Sequence, residues 1–285
     1  MTNFFILAGG YGKRAEPLTS CLPKPLFPLN GRSLLSLLTE QMNTFGLRKG
    51  FVNVHHLASL ITELTFTGLE IQYIEEKKLT GNRILSERIN RTENDLLVIN
   101  GDTFLNIPID ILQNKMNTEN VDGVILVRKK DGIYSSIITD GDTFLKRDKD
   151  PAASDLMYAG VSIFRNSFCS KLQEENLFDS LEISQGRIRT IEYTGHWLDL
   201  GTPENYFESE RRYRRFKGIR AGNSLSNGVL IGDRAEIVNS IIWDGTKING
   251  DAFISDSIVT RGLTIESGVF NKKIITKNGV YDLLI

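Results

Sequence analysis

Residues able to grip and move phosphate are spaced through the first two hundred positions of this chain. An apolar run, Phe4-Phe5-Ile6-Leu7, breaks into Ala8-Gly9-Gly10-Tyr11-Gly12. Glycines in such a loop let backbone N–H groups close on an anion. Lys13 and Arg14 follow at once, and Lys24 stands between Pro23 and Pro25. The two prolines restrict the backbone, so the ammonium is aimed rather than left to wander. Backbone donors plus fixed cations after a strand suit a polyphosphate. The spacing is neither a dinucleotide fingerprint, which runs Gly-x-Gly-x-x-Gly directly into a helix, nor a P-loop, which needs Gly-Lys-Ser or Gly-Lys-Thr. Asp102 follows an apolar strand in Val98-Ile99-Asn100-Gly101-Asp102, and Asp199 lies in Trp197-Leu198-Asp199-Leu200-Gly201. Carboxylates at strand ends beside glycine suit magnesium, which is held by one or two carboxylates plus substrate phosphates. Singly, a glycine turn is structural, a lysine belongs to the surface and an aspartate caps a turn. Together they outline a nucleotide site. His55 and His56 suit packing or turns; His196 could line the site, but nothing marks it as a general base.

To serve one site, the glycine loop and Asp102 must leave a sheet at the same edge. Over the first hundred residues the pattern alternates: helix 33–45 capped by Ser33 and ended by Gly46, strand 50–54, short helix 57–64, strand 71–74, helix 83–91 and strand 96–99. This predicts an α/β, Rossmann-like, mostly parallel sheet covered on both faces, with ligands outside the carboxyl ends of the strands. After Val121 short strands dominate, at 124–127, 134–139, 143–146 and 158–164, with a hairpin turn at Asp140-Gly141. Another strand is expected at 197–200. Pro203 then opens a charged helix to 217, read as a solvated connector. Gly, Ser and Asn cluster at 218–228 and mark a boundary. Beyond it aliphatics recur six apart: Ile231 and Ile237, then Ile242, Ile248 and Ile254, then Val259 and Ile265. That period predicts a small left-handed parallel β-helix. The expected division is a first domain over 1–220, linker helix included, and a β-helix domain over 225–285.

The chain has 285 residues, 40% of them apolar, which allows a sizeable core plus an appendix. A formal net charge of −1 gives no electrostatic case for a nucleic-acid or membrane partner. No apolar segment reaches spanning length, and the N-terminus starts a strand with no basic leader. Cys21 and Cys169 have no metal spacing and form no disulfide framework, so a cytoplasmic setting is expected.

The motif Leu7-Ala8-Gly9-Gly10-x-Gly12-x-Arg14-x-x-Pro17-Leu18-Thr19, then Pro23-Lys24-Pro25-Leu26-x-Pro28 and Gly31, resembles the signature of sugar-1-phosphate nucleotidylyltransferases. The likeness continues through Asn53-Val54-His55, Asn100-Gly101-Asp102-Thr103, Ala159-Gly160-Val161-x-Ile163-Phe164 and Trp197-x-Asp199-x-Gly201-Thr202-Pro203-x-x-Tyr206, in the family's order. The mannose- and heptose-1-phosphate guanylyltransferases are the nearest flavours, so GDP-mannose or GDP-heptose chemistry is favoured over UDP- or dTDP-sugars. The resemblance implies that Leu7, Ala8 and Gly9 pass along base and ribose. It gives the β- and γ-phosphates to Gly10, Gly12 and Arg14, the phosphates of donor and acceptor to Lys24, and magnesium to Asp102 and Asp199. Lys149 falls where the acceptor-phosphate lysine is expected, and Glu182 and Gly160 would contact the sugar. Gly81 would approach the base, within a base-reading stretch, 79–84, that is one residue shorter than usual. The partners so implied are a nucleoside triphosphate and a sugar 1-phosphate, with a homo-oligomer through the β-helix left open. A different class stays open too: a non-catalytic regulatory or scaffolding relative that binds a nucleotide sugar.

Overall fold

The computed structural model describes residues 2–79, 94–169, 171, 176–184 and 186–285. Gly81, the stretch 80–83 and the helix expected over 83–91 lie outside the described residues. Thr2–Leu7 is the first strand, and its Phe4, Phe5 and Ile6 are wholly buried. A strand covered on both faces reads as a continuous apolar run, as this one does. It pairs in parallel with Lys49–Val54 and with Asp95–Asn100, and Leu7 stands level with Asn53 on one side and Asn100 on the other. That register sets the glycine loop between Asn53 and Gly101-Asp102, at the carboxyl edge of the sheet. Glu70–Glu75 adds a fourth parallel strand.

The sheet has nine strands, in the order Glu70–Glu75, Lys49–Val54, Thr2–Leu7, Asp95–Asn100, Leu156–Phe164, Gly123–Lys129, Ile188–Glu192, Thr143–Asp148, Ser136–Asp140. Its first half is parallel, as the alternation of strand and helix predicts. The second half is mixed, which is what the change of pattern after Val121 reflects. Asp140 and Thr143 pair across the expected hairpin turn. The helix Leu34–Thr44 is capped by Ser33, whose Oγ accepts from the Ser36 N–H at 3.1 Å. The short helix contracts to Ser59–Thr62, and the strand expected from 134 begins at Ser136. The elements that escape the sequence pattern include strands Thr103–Leu105 and Ile188–Glu192 and helices Ile109–Thr118 and Leu177–Glu182.

Helix Pro203–Phe216 corrects its reading as a solvated connector. Thr202 caps it and Pro203 fills its first position. One face is buried: Tyr206, Phe207 and Tyr213 join the main core, and even Glu210 is 1% exposed. Arg214 donates inside to the carbonyls of Gly222 and Arg220, both at 2.6 Å. Glu210 and Arg214 thus line a packed joint, while Arg211, Arg212 and Arg215 stay exposed as expected.

The last sixty residues form stacked parallel strands consistent with a β-helix. Ile231 pairs with Ile248 and Ile248 with Ile265; Ile237 pairs with Ile254; Ile242 pairs with Val259 and Val259 with Ile275. Hydrogen bonds between neighbouring coils link residues 17 apart. The break in the six-residue spacing after Ile237 is therefore a regular corner: Asn239, Asp256 and Lys272 turn it on successive coils, with φ of 49°, 46° and 53°. One face carries doublets, Ile241-Ile242, Ile258-Val259 and Ile274-Ile275. The second member of each faces the coil interior, while the first joins the core of the larger sheet domain. Trp243 does the same. It is wholly buried, lies 5.2 Å from the Phe27 ring and donates through Nε1 to the Tyr206 hydroxyl at 3.0 Å.

Candidate active site

Gly12 ends the glycine loop with φ of 65°, a conformation that disfavours other residues. A Cβ there would lie 2.8 Å from Thr19 Cγ2 and 3.0 Å from Lys24 Cε, so the bare backbone lets the loop rest on the lysine stem. Lys24 opens a short 3-10 turn, Lys24–Leu26, entered from Pro23 and fixed by hydrogen bonds from Leu26 N to Pro23 O and from Phe27 N to Lys24 O. Its ammonium donates to the Gly201 carbonyl at 3.0 Å and lies 3.7 Å from Asp102 Oδ2. Lys24 is 8% exposed. Burial lowers its pKa below the ordinary lysine value, with Arg14 acting the same way against the opposing pull of Asp102 and Asp199. Asp102 is shifted upward, first by desolvation and then by Asp199, against the stabilising charge of Lys24. Such opposed shifts mark a crowded charge cluster of the kind found at functional sites.

Asp199 reaches the same place from another strand pair. Trp197–Asp199 runs antiparallel to Thr103–Leu105, with Asp199 opposite Thr103, and Leu200 N donates to Asp102 O at 3.0 Å. The carboxylate is 9% exposed and clamped: Oδ1 accepts from Gly201 N at 2.9 Å, and Oδ2 from Asn205 Nδ2 at 2.7 Å and Tyr134 OH at 3.0 Å. Burial and the Asp199 charge push the Tyr134 phenol well above its ordinary pKa, so it stays a donor. The sequence gives no local sign of Tyr134, which comes from 65 residues away, while Asn205 stands six residues past Asp199 in the first turn of the following helix.

Two clefts meet over this cluster. One, of about 520 Å³, is lined by Leu7, Ala8, Gly9, Gly10, Gly12 and Lys13 on the loop, by Lys24, and by Asn53, Glu76 and Leu79. The other, of about 500 Å³, is lined by Tyr134, Arg147, Tyr158, Gly160, Phe178, Trp197 and Asp199 among others. Leu7, Arg14, Asn100 and Asp102 border both. Leu7, Ala8, Gly9, Gly10, Gly12, Arg14, Lys24, Asp102, Gly160 and Asp199 are thus brought to the clefts as their sequence positions suggest.

Lys149 and Glu182 are not. Both are exposed, and neither lines a cleft; Glu182 instead accepts from the Arg147 backbone N–H at 3.1 Å. The register of strand Thr143–Asp148 shifts between Phe144 and Lys146, and Arg147 is the cation that reaches the wall. Its guanidinium sits 5.1 Å from the Phe178 ring centroid and donates to Ser135 Oγ at 3.1 Å. No histidine lines either cleft: His55 and His56 hold backbone carbonyls, and His196 packs on Phe216. Among the described residues no helix is long and apolar enough to cross a membrane, and no group of three or more histidines, cysteines or carboxylates is placed to hold a metal.

This geometry has parallels among known proteins. The chain is 28% identical over 322 residues to the bifunctional protein GlmU of Methanococcus maripaludis, covering 89% of this chain and 76% of that one. It is 23% identical over 213 residues to the D-glycero-alpha-D-manno-heptose 1-phosphate guanylyltransferase of Campylobacter jejuni, covering 71% of this chain and 96% of the relative. The solved structure of HddC from Yersinia pseudotuberculosis, complexed with GMP-PN, superposes with a TM-score of 0.61 at 18% identity, over 75% of this chain and all of the other, and so shares its fold. Residues 4–215 match the family model described as nucleotidyl transferase, and the chain belongs to that family of enzymes.

Proposed function

We propose that the chain transfers a nucleoside monophosphate from a nucleoside triphosphate to a sugar 1-phosphate, giving an NDP-sugar and pyrophosphate. The observation that carries this is the pair of clefts sharing Arg14 and Asp102 on their common border. A reaction between two anions needs two adjoining sites and cations where they meet. The triphosphate would occupy the cleft lined by the glycine loop, its β- and γ-phosphates against Gly10, Gly12 and Arg14. The sugar phosphate would occupy the cleft lined by Tyr158, Gly160 and Trp197, with Arg147 in the role the sequence assigns to Lys149. A phosphate oxygen of the acceptor attacks the α-phosphorus in line as pyrophosphate leaves. That nucleophile is already ionised, which fits the absence of histidine from the cleft walls. Lys24 and Arg14 would neutralise the repulsion between the two anions and the charge growing on the leaving group.

The donor set fits magnesium. Asp102, in the turn before strand Thr103–Leu105, and Asp199, on the strand paired with it, are hard oxygen donors, and Asp199 is held in place by three hydrogen bonds. They would hold the ion, which would supply charge neutralisation at the phosphates. The name of the Campylobacter jejuni relative supports a guanine nucleotide, a heptose-type acceptor and a role in making sugar nucleotides; the motif resemblance adds mannose as the other acceptor. The exposed side chains Val238 and Val269 on the β-helix support assembly with a second copy, which sedimentation would test. The test of the reaction is pyrophosphate release from a matrix of nucleoside triphosphates and sugar 1-phosphates with magnesium. Release with one pair and conversion of both substrates is expected. Binding without release for every pair would favour the non-catalytic relative instead.

A further inference from the structure

We propose that Tyr134 is a positioning residue for the transfer: its hydroxyl fixes which oxygen of Asp199 is offered to the metal. This rests on the reading above, in which Asp102 and Asp199 hold magnesium. The two carboxylates are held in unlike ways. Asp102 stands in a turn, 3.7 Å from the Lys24 ammonium. Asp199 is buried, and its hydrogen bonds are divided unevenly between its oxygens. Oδ1 accepts from Gly201 N at 2.9 Å. Oδ2 accepts from both Asn205 Nδ2 at 2.7 Å and the Tyr134 hydroxyl at 3.0 Å. A carboxylate has about four lone-pair positions, shared equally by its oxygens. Oδ2 is therefore filled, and Oδ1 keeps the position left for an ion.

The two donors to Oδ2 are not equivalent. Asn205 belongs to the helix that follows Asp199, whereas Tyr134 comes from the segment joining strands Gly123–Lys129 and Ser136–Asp140. That segment is anchored where it begins. Asp131 accepts from both terminal nitrogens of Arg128, at 2.9 and 3.1 Å, and Lys130 Nζ donates to Ser136 Oγ and Pro151 O, both at 2.7 Å. The Tyr134 ring meets the Trp197 ring edge-on, with centroids 5.7 Å apart and planes at 86°. Packing thus locates the ring, and the ring delivers the hydroxyl. Tyr134 and Asp199 also separate the acceptor cleft from a cavity of about 80 Å³, lined further by Asp131, Asn205 and Arg212 among others. Without the hydroxyl the carboxylate has room to turn.

Hydrogen bonds to a metal-holding carboxylate set its orientation, and losing one costs about 10- to 100-fold in metal affinity or activity. The choice of oxygen also bears on the choice of ion. Magnesium demands near-ideal octahedral geometry, whereas calcium is larger and accepts a carboxylate through one oxygen or both. A carboxylate with Oδ2 filled suits the first ion better than the second.

The bland account is that Tyr134 only walls the acceptor cleft. Tyr134→Phe separates the two, because it keeps the ring on Trp197 and removes the donor. Mn²⁺ binding to the full chain is counted by electron paramagnetic resonance, and the bound ion is then displaced with Mg²⁺ or Ca²⁺. The variant should bind Mn²⁺ about tenfold or more weakly than the parent. Its preference for Mg²⁺ over Ca²⁺ should narrow, and turnover should need correspondingly more Mg²⁺. Asn205→Ala, which strips the other donor from Oδ2, should weaken Mn²⁺ in the same direction. Parent-like Mn²⁺ affinity in Tyr134→Phe, with a raised KM for the sugar phosphate, would make Tyr134 a wall and overturn the proposal. An equal loss for Mg²⁺ and Ca²⁺ would overturn it too, since the choice of oxygen would then not matter, as would a parent that binds no Mn²⁺. Absence of turnover with every substrate pair would sink the transfer reading, and the Mn²⁺ titration would still judge Tyr134. Should Tyr134→Phe not fold, Tyr134→Leu takes its place in the same titration, and parent-like affinity again overturns the proposal.

Discussion

Replacing Trp243 by alanine should weaken the whole molecule, not only its C-terminal coils. The indole is wholly buried, lies 5.2 Å from the Phe27 ring and 6.2 Å from Tyr206, and donates to the Tyr206 hydroxyl, which donates onward to Pro28 O at 2.8 Å. Removing a buried tryptophan side chain costs about 3–5 kcal/mol. That is a large share of a typical stability of about 5–15 kcal/mol. Trp243→Phe keeps most of the ring contact and loses one hydrogen bond; Tyr206 retains Pro28, so the cost is about 1–2 kcal/mol. The joint matters for function because Phe27 N–H holds the carbonyl of Lys24, so slack at Trp243 passes into the turn that aims the ammonium. Urea unfolding followed by far-ultraviolet circular dichroism and by fluorescence reads this well, since the chain has two tryptophans and the variant leaves only Trp197, in the acceptor cleft. Both signals should shift together, by about 1–2 M urea. Two separate transitions, with Trp197 melting at the wild-type midpoint, would show an independent appendage and refute the coupling.

Other outcomes follow from the same contacts. Arg147→Ala should raise KM for the sugar phosphate about tenfold, while Lys149→Ala should leave it within about twofold; the reverse pattern in steady-state kinetics would restore Lys149 to the acceptor site. Glu210 is 1% exposed, and burial raises its pKa above the ordinary glutamate value of 4.5. The folded state then holds its proton where the unfolded state has lost it, so stability falls as the pH rises through that window. Glu210→Gln removes this slope and should gain thermal stability relative to the parent between pH ~4.5 and neutrality; a difference independent of pH would contradict it.

The parts of the site that were legible in the sequence are those with local signals. Gly9 to Gly12, Lys24, Asp102 and Asp199 each lie at or near glycine or proline; strand register brings the loop, Asp102 and Asp199 together, and the turn Lys24–Leu26 adds Lys24. Arg147 was not legible, because the shift between Phe144 and Lys146 is set by pairing with a neighbouring strand. Nor was Tyr134, which meets Asp199 from a remote segment. The β-helix showed in its six-residue spacing, but the docking of its coils did not. A signal was present in the doublets Ile241-Ile242, Ile258-Val259 and Ile274-Ile275: strands apolar at consecutive positions are covered on both sides. The buried face of helix Pro203–Phe216 was hidden for the opposite reason, since Glu210 and Arg214 are charged residues that find backbone partners within the joint.

The claim that two substrates meet over Lys24 and Asp102 is tested most directly by the fate of labelled phosphate. With magnesium and a sugar 1-phosphate, label in the α-phosphate of the nucleotide should appear in the NDP-sugar, and label in the γ-phosphate should appear in pyrophosphate. Lys24→Ala should slow both by orders of magnitude without unfolding the chain. Release of the γ-label as orthophosphate, or near-normal transfer in Lys24→Ala, would contradict the account.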